Sequence, residues 1–445
     1  MELVTASDAE PAQRRLAALL HSKGLRPADR LVIVSPSSAD LLVLVLAALR
    51  RGIVPVLLNP ALLEAEQEEL IADADPALVL RGNDVAALSA EALTRVGAPG
   101  SESELAPFPL ARPMHYTSGT TGRPKGVWSG VLSELDATRM ASEERELWGF
   151  ETTDLHLVCA PLCHSAPVRF AVGTLLAGGA VLLPGKFDAV AAAEAIRAHR
   201  PSTTFMAPAH LQRLFALGRE VLPPLGSFRL LAHAGSACPE PLKRAALGAF
   251  PDGTVWEFYG STEGQFTACS PAEWLERPGT VGRARPGRRL ATDDDAVIWC
   301  ETPPHARFEY WRDADKTQAA WRDGAFTVGD VGRLDEAGYL FLDGRRNDLI
   351  ISGGVNVYPA EVERVLHELA GVEEVAVFGL PDERWGQRVC AAIVGPVDED
   401  AVVAFARSRL APYKCPKQVV RVSEIPLGAM GKVRRSTLAA DLGLE

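Results

Sequence analysis

The sequence predicts an α/β fold with an at least partly parallel sheet, followed by a smaller second core near its C-terminal end. Alternation is the first sign. From about residue 31 to 58 an apolar strand ("RLVIVSP"), a helix ("SADLLVLVLAALRRG") and a second apolar strand ("IVPVLL") follow one another, and strand-like "PALVL" and "AVLLPG" continue the series. Strands alternating with helices indicate a sheet covered by helices. The second sign lies near the end, where "PAEVERVLHEL" places Val362, Val365, Leu366 and Leu369 at helical spacing. Strand-like "EEVAVFG" and "QRVCAAIVG" follow, then a helix around "DEDAVVAFARSRL". About a hundred residues with stripes of their own are enough for a separate core. The charged, glycine-led "GRRNDLI" at 344 to 350 divides the two patterns, giving domains of 1–346 and 347–445.

Composition narrows the function. With 445 residues, 47% hydrophobic and 23% charged, the chain has the make-up of a soluble globular protein, without repeats. Its longest apolar runs, 41 to 49 and 171 to 184, are shorter than a bilayer requires. The acidic start "MELVTASDAE" lacks the features of a secretory signal, so a cytoplasmic location is expected. Seven cysteines without framework spacing read as free thiols. Cys159, Cys163 and His164 in "CAPLCH" lack the second ligand pair of a structural zinc site. A net charge of −11 argues against nucleic acid. Any phosphate would be held locally, by backbone and a few side chains.

The stretch suited to that task is "YTSGTTGRPKG", residues 116 to 126, which leaves a polar, proline-rich connection at 97 to 113. Serines, threonines and glycines beside one lysine supply N–H groups, hydroxyls and a cation, which suit a polyphosphate. The spacing is not that of a P-loop, because Lys125 lies between Pro124 and Gly126. A flexible polar linker is the alternative, but a linker has no use for the ordered Arg-Pro-Lys-Gly ending.

This stretch resembles the phosphate-binding signature of the adenylate-forming superfamily, which includes acyl- and aryl-CoA synthetases, firefly luciferase and peptide-synthetase adenylation domains. Four more stretches match in the family's order: "PLCHSAP" at 161 to 167, "EFYGSTEG" at 257 to 264, the long segment at 327 to 363 and "PLGAMGKVRR" at 426 to 435. The resemblance implies a large multi-sheet N-terminal domain and a small, mobile α+β C-terminal domain. It implies ATP, Mg2+ and CoA as cofactors and substrates.

Roles follow residue by residue. Activating a carboxylic acid with ATP brings two anions together while charge builds on phosphoryl oxygens, so donors and cations must already be in place. The resemblance assigns the β- and γ-phosphates to Thr117, Ser118, Gly119, Thr120, Thr121, Gly122 and Lys125. Glu263 would hold Mg2+ and Thr262 would donate to the α-phosphate; a solvated acid at a helix start is the alternative for Glu263. Tyr259, within Glu257, Phe258 and Gly260, offers a flat face to adenine, and Gly235, Ser236 and Ala237 let the backbone approach the base. A plain core tyrosine is the alternative. Asp330 would take the ribose hydroxyls, with Val328 where the family has threonine, and Arg345 would reach ribose or phosphate. Lys432 would swing in with the small domain and offset charge present only during adenylyl transfer. Met430 departs from the small or hydroxyl residue usual beside it.

"ISGGVNVYPAEVE" resembles the CoA-ligase version of its segment, and Gly353 and Gly354 would line a narrow pantetheine tunnel. Asn347 stands at the hinge position, where the family carries an acidic or basic residue. The acyl pocket should draw on His164 and Ser165, on Phe205 and on Gly264, from stretches that are mostly small and apolar. Ser165-Ala166 replaces the aspartate that pairs with an amino group in amino-acid-activating members. An apolar monocarboxylic acid is therefore expected, with an acyl-CoA synthetase as the activity. Transfer to a carrier-protein thiol, an amine or another nucleophile stays open, as does a non-catalytic acyl-adenylate-binding homologue. The N-terminal part is shorter than is usual in the family, which suggests compensation by homodimerisation or by tighter local packing.

Overall fold

The computed structural model describes residues 1–444 except 96, 98, 99, 118–123, 219, 346, 347, 353, 354, 383, 384, 411 and 428–432. Strands Arg30–Val34 and Val54–Leu58 are parallel neighbours joined by helix Ala39–Arg50, and Leu78–Arg81 adds a third parallel strand. The helix begins at Ser38, whose hydroxyl accepts from Leu41 N, and ends in a turn where Gly52 takes a φ of +70°. Every residue from Leu41 to Arg50 is buried, because the helix is covered by its own sheet and by helices Ala6–Ser22 and Ser165–Leu176. A helix apolar on all sides can be stable only in such a place.

The larger sheet runs Glu2–Thr5, Ala180–Leu183, Leu155–Val158, Thr203–Met206, Leu230–His233, Val255–Glu257. The first strand is antiparallel to its neighbour, and all the other pairs are parallel. Parallel order has one consequence for chemistry. The chain leaves the carboxyl edge of four neighbouring strands with "CAPLCH", "APAH", "AGSA" and "FYGSTEG", and in open α/β sheets that edge is where ligands bind.

Smaller antiparallel sheets flank this edge. His115–Thr117 pairs with Lys125–Trp128, which in turn pairs with Glu309–Tyr310; Asp330–Leu334 pairs with Leu340–Arg345. Beyond residue 347, hairpin strands Glu374–Asp382 and Gly386–Val394 serve two layers at once. Val377, Val389, Ala391 and Ile393 pack with Val362, Leu366, Val402 and Ala406 of two helices. Ala376, Phe378, Cys390 and Ala392 face Ile425 and Leu438 on the other side. The two-residue period of a strand produces this division.

Cys159 and Cys163 are buried free thiols, Cys159 pushed up to about 12 by burial, so both behave as small hydrophobes. Among the described residues no helix is long and apolar enough to cross a membrane.

Candidate active site

The ends of the "YTSGTTGRPKG" loop are fixed by a hairpin. Thr117 stands opposite Lys125, and the Thr117 hydroxyl lies 3.5 Å from the Lys125 carbonyl. Space is tight at Gly126, where a Cβ would press on Met114 Sδ and Trp311 Cβ, each at 3.2 Å. The Lys125 ammonium lies 2.6 Å from Asp313 Oδ2. Asp313 also caps helix Ala314–Ala320 by accepting from Lys316 N, so one carboxylate holds both the helix start and the lysine. Ser118, Gly119, Thr120, Thr121 and Gly122 lie outside the described residues.

Glu263 sits at the tip of a tight turn between Gly260 and Gly264. Ser261 N donates to Gly264 O at 2.8 Å and Gly260 bridges Gln265. Both glycines are needed for closure. A Cβ on Gly260 would lie 3.0 Å from Gly264 O, and one on Gly264 only 2.5 Å from the Phe326 ring. The Glu263 carboxylate is buried and accepts from the Tyr310 hydroxyl at 2.9 Å. A solvated acid at a helix start is therefore not what this residue is. The Lys316 ammonium stacks 4.3 Å above the Tyr310 ring, and burial lowers its pKa, partly offset by Glu263. Thr262, beside Glu263, is half-buried.

Tyr259 follows the last parallel strand and joins two elements. Its ring packs on Phe266 with centroids 4.7 Å apart, and its hydroxyl donates to Asp330 Oδ2 at 2.6 Å. It is thus a core residue whose hydroxyl reaches another candidate of the site. Asp330 stands opposite Arg345 in the strand register, which brings these two candidates together although 14 residues separate them. Gly235, with a φ of +100°, Ser236 and Ala237 are exposed where strand Leu230–His233 ends. Glu257 is turned another way. Its carboxylate faces Lys243 Nζ at 3.3 Å and His233 Nε2 at 3.7 Å in a buried group, and Lys243 also contacts His233. Burial raises Glu257 and outweighs Lys243.

His164 and Ser165 open helix Ser165–Leu176, His164 as its N-cap residue. His164 lies near enough to His115 to disfavour a second charge, and burial with this neighbour takes His115 down to about 3. Phe205 and Phe258 face each other across 5.9 Å, with Phe170 5.8 Å from Phe205. They form an aromatic wall behind Ala166 and Ala234. An added Cβ on Gly264 would meet the Phe326 ring.

The structure thus gathers Lys125, Glu263, Tyr259, Asp330 and Arg345 with Thr262 on the sheets at one edge. Asn347, Gly353, Gly354, Met430 and Lys432 lie outside the described residues. Sequence reading missed Tyr310, Asp313 and Lys316. All three occur in "FEYWRDADKT", and the pairing of Glu309–Tyr310 with Lys125–Trp128 brings Tyr310 to Glu263 and Asp313 to Lys125.

Comparison with known proteins finds one family along most of the chain. A family model described as "AMP-binding enzyme" matches residues 2–297, and "AMP-binding enzyme C-terminal domain" matches 361–432. The indoleacetate–CoA ligase of Aromatoleum aromaticum is 33% identical over 95% of this chain and 90% of its own length. The o-succinylbenzoate CoA synthetase of Bacillus subtilis, solved with its acyl-adenylate intermediate, superposes with a TM-score of 0.84 at 26% identity, covering 97% of this chain and 92% of that one. It has also been solved with ATP and magnesium ion, with a TM-score of 0.82 at 26% identity over 97% of this chain and 94% of that one. The amide bond synthetase McbA of Marinactinospora thermotolerans gives a TM-score of 0.85 at 27% identity, covering 99% and 95%.

Proposed function

This chain belongs to the AMP-binding enzyme family of adenylate-forming enzymes, and from that premise and the geometry of the site we propose that it is an AMP-forming acyl-CoA synthetase. The Tyr259–Asp330 contact carries the reading. It brings an aromatic face and a ribose-binding carboxylate, 71 residues apart in the chain, within 2.6 Å at the carboxyl edge of the sheet. Arg345 stands opposite Asp330 in the same register.

The substrate carboxylate attacks the α-phosphorus, the bond to the bridging oxygen breaks, and pyrophosphate leaves. Lys125 and the loop between Thr117 and Lys125 hold the departing end, and Thr262 donates to the α-phosphate. Glu263 suits a Mg2+ ion that arrives with ATP. It is a buried carboxylate oriented by Tyr310, and among the described residues no group of three His, Cys, Asp or Glu side chains is gathered that could hold a metal without the nucleotide. Bound there, Mg2+ would neutralise charge on the phosphate oxygens. Lys432 supplies the cation that matters only during transfer. In the second half-reaction the CoA thiol attacks the acyl carbonyl and AMP leaves, with Gly353 and Gly354 beside the pantetheine and Asn347 as the hinge. The acid has an apolar body that packs on the wall of Phe205 and Phe258.

Purified protein incubated with Mg-ATP, CoA and a panel of aliphatic, alicyclic and aryl acids should release AMP together with an acyl-CoA detectable by mass spectrometry. AMP without thioester, but with an amide when amines are added, would move the acceptor to an amine, as the name of McbA suggests. Lys432→Ala should abolish adenylation and spare thioester formation from supplied acyl-adenylate. Survival of both reactions would remove Lys432 from catalysis.

A further inference from the structure

Beside the aromatic wall, with Arg169 over the Phe170 and Phe258 rings, lies a group of ionic side chains that the reaction above does not use. Helix Glu134–Trp148 contributes Glu143 and Glu144, helix Ser165–Leu176 contributes Arg169, and Arg285 and Arg288 follow strand Arg283–Ala284. Both acids are fully engaged. Glu144 accepts from Arg285 Nη2 at 2.7 Å and from Trp148 Nε1 at 3.0 Å, with Arg169 Nη1 at 3.6 Å. Glu143 accepts from Arg288 at 3.1 Å and lies 2.6 Å from His305 Nε2. Three guanidinium groups therefore face two carboxylates. Arg112 adds a fourth cation within electrostatic reach of Arg288, Glu144 and Glu263.

The donors do not come out even. Nε and Nη1 of both Arg169 and Arg285 are buried without a hydrogen-bond partner among the described residues. The Arg285 side chain is 1% exposed and that of Arg169 17%. A guanidinium can only donate, so a buried donor without an acceptor is unfavourable. Arg169 Nη1 still has Glu144 at 3.6 Å, so Arg169 Nε with Nε and Nη1 of Arg285 are the donors that describe a place for an acceptor.

Position says which molecule brings it. Arg169 lies four residues beyond Ser165 on one helix, so both project from the same face, about one turn apart. Its guanidinium carbon sits 5.1 Å from the centroid of Phe258 and 5.4 Å from that of Phe170. Phe258 directly precedes Tyr259, and Phe205 is its neighbour on the wall. The free donors thus lie against Phe258, a ring of the wall on which the acyl body would pack. Building on the acyl-CoA synthetase reading, we propose that Arg169 and Arg285 bind a second carboxylate, carried at the end of the substrate remote from the carboxyl that is activated. The planar fork of a guanidinium matches two carboxylate oxygens, and the excess of positive charge favours an anion over a neutral acceptor. The acid then has an apolar middle and two charged ends.

The test uses pairs of aryl and alicyclic acids that share a skeleton, with and without a distal carboxylate, at several spacings. Adenylation is read by pyrophosphate release and hydroxamate trapping, and thioester formation separately by mass spectrometry. One diacid spacing should exceed its monoacid partner by at least about tenfold in kcat/KM, expressed mainly in KM. In Arg169→Met that ratio should collapse to near one, and Arg169→Lys should recover part of it. Should Arg169→Met fail to fold, the wild-type comparison still decides. Equal or better use of the monoacid at every spacing overturns the arginine assignment alone. A panel from which no acid yields AMP overturns the synthetase reading beneath it as well.

Discussion

Tyr310 and Asp313 each make one contact whose loss can be read in a separate assay. The Tyr310 hydroxyl donates to Glu263, fixing a buried carboxylate that must turn toward an arriving ion. Tyr310→Phe keeps the ring under Lys316 and removes only the hydrogen bond. A bond to a charged acceptor contributes roughly 1.5–3 kcal/mol, so the apparent affinity for Mg2+ in pyrophosphate exchange should weaken about tenfold or more. An unchanged Mg2+ titration would separate Glu263 from the metal. Asp313 acts in the opposite sense. Its carboxylate pairs with Lys125 and adds negative charge where phosphate would bind. Asp313→Asn retains the helix cap, because the amide oxygen still accepts from Lys316 N, while the competing charge is gone. The KM for ATP should fall by about threefold, an effect that shrinks at high salt. A higher KM would show that Asp313 positions Lys125 rather than competing with the nucleotide for it.

At the level of elements, the turn from Gly260 to Gly264 is the part least tolerant of change. Gly264→Ala would push a methyl group into the Phe326 ring, and relieving the overlap has to move either the aromatic cluster or the turn that carries Glu263. Overpacking costs roughly 1–3 kcal/mol, so the melting temperature and the adenylation rate should fall together. Loss of activity with an unshifted melt would instead place Gly264 against the substrate. Much of this level was legible in the chain. Alternating apolar runs located the parallel strands, because strand and helix periods are local properties of neighbouring residues. Motifs marked Glu263, Tyr259 and Asp330 as candidates, because each motif is a short run of neighbouring residues. What stayed hidden was lateral pairing. Nothing near Glu309 or Tyr310 says that these residues pair with Trp128 and Val127, yet that register carries Tyr310 to Glu263 and Asp313 to Lys125. Arg169 and Arg285 were missed likewise, since each looks like an ordinary surface arginine until helix Glu134–Trp148 closes over both with Glu144. Glu257 shows the converse. Its place in a motif suggested a nucleotide contact, while the fold directs its carboxylate to Lys243.

Across the whole molecule, buried histidines couple stability to pH. Burial is the main cause in each case: it takes His115 and His156 down to about 3 and His210 to about 4, and it also lowers His233, with Lys243 adding to the effect. All four lie before residue 346, three of them in strands that end at the site edge. The sign follows from which state binds the proton. Below about pH 6.5 an unfolded histidine is protonated while these folded ones stay neutral, so the unfolded chain takes up protons and is favoured as pH falls. The stabilisation is complete above 6.5 and drains away down to the folded values near 3 to 4, at roughly 1.4 kcal/mol per pH unit for each group once it is well below 6.5. Glu144 acts lower on the scale. Burial would raise it, but Arg169 and Arg285 prevail and hold it at about 2, so its share is lost only between about 4.5 and 2. The urea midpoint of the larger core should therefore stay level from pH 8 to 7 and drop steeply from 6.5 to 5. His156→Gln keeps a polar partner for Thr203 and cannot take up that proton, so it should reduce the proton uptake on unfolding by about one at pH 5. An equal slope in both proteins would mean that His156 is already charged in the folded state, against its complete burial in the sheet.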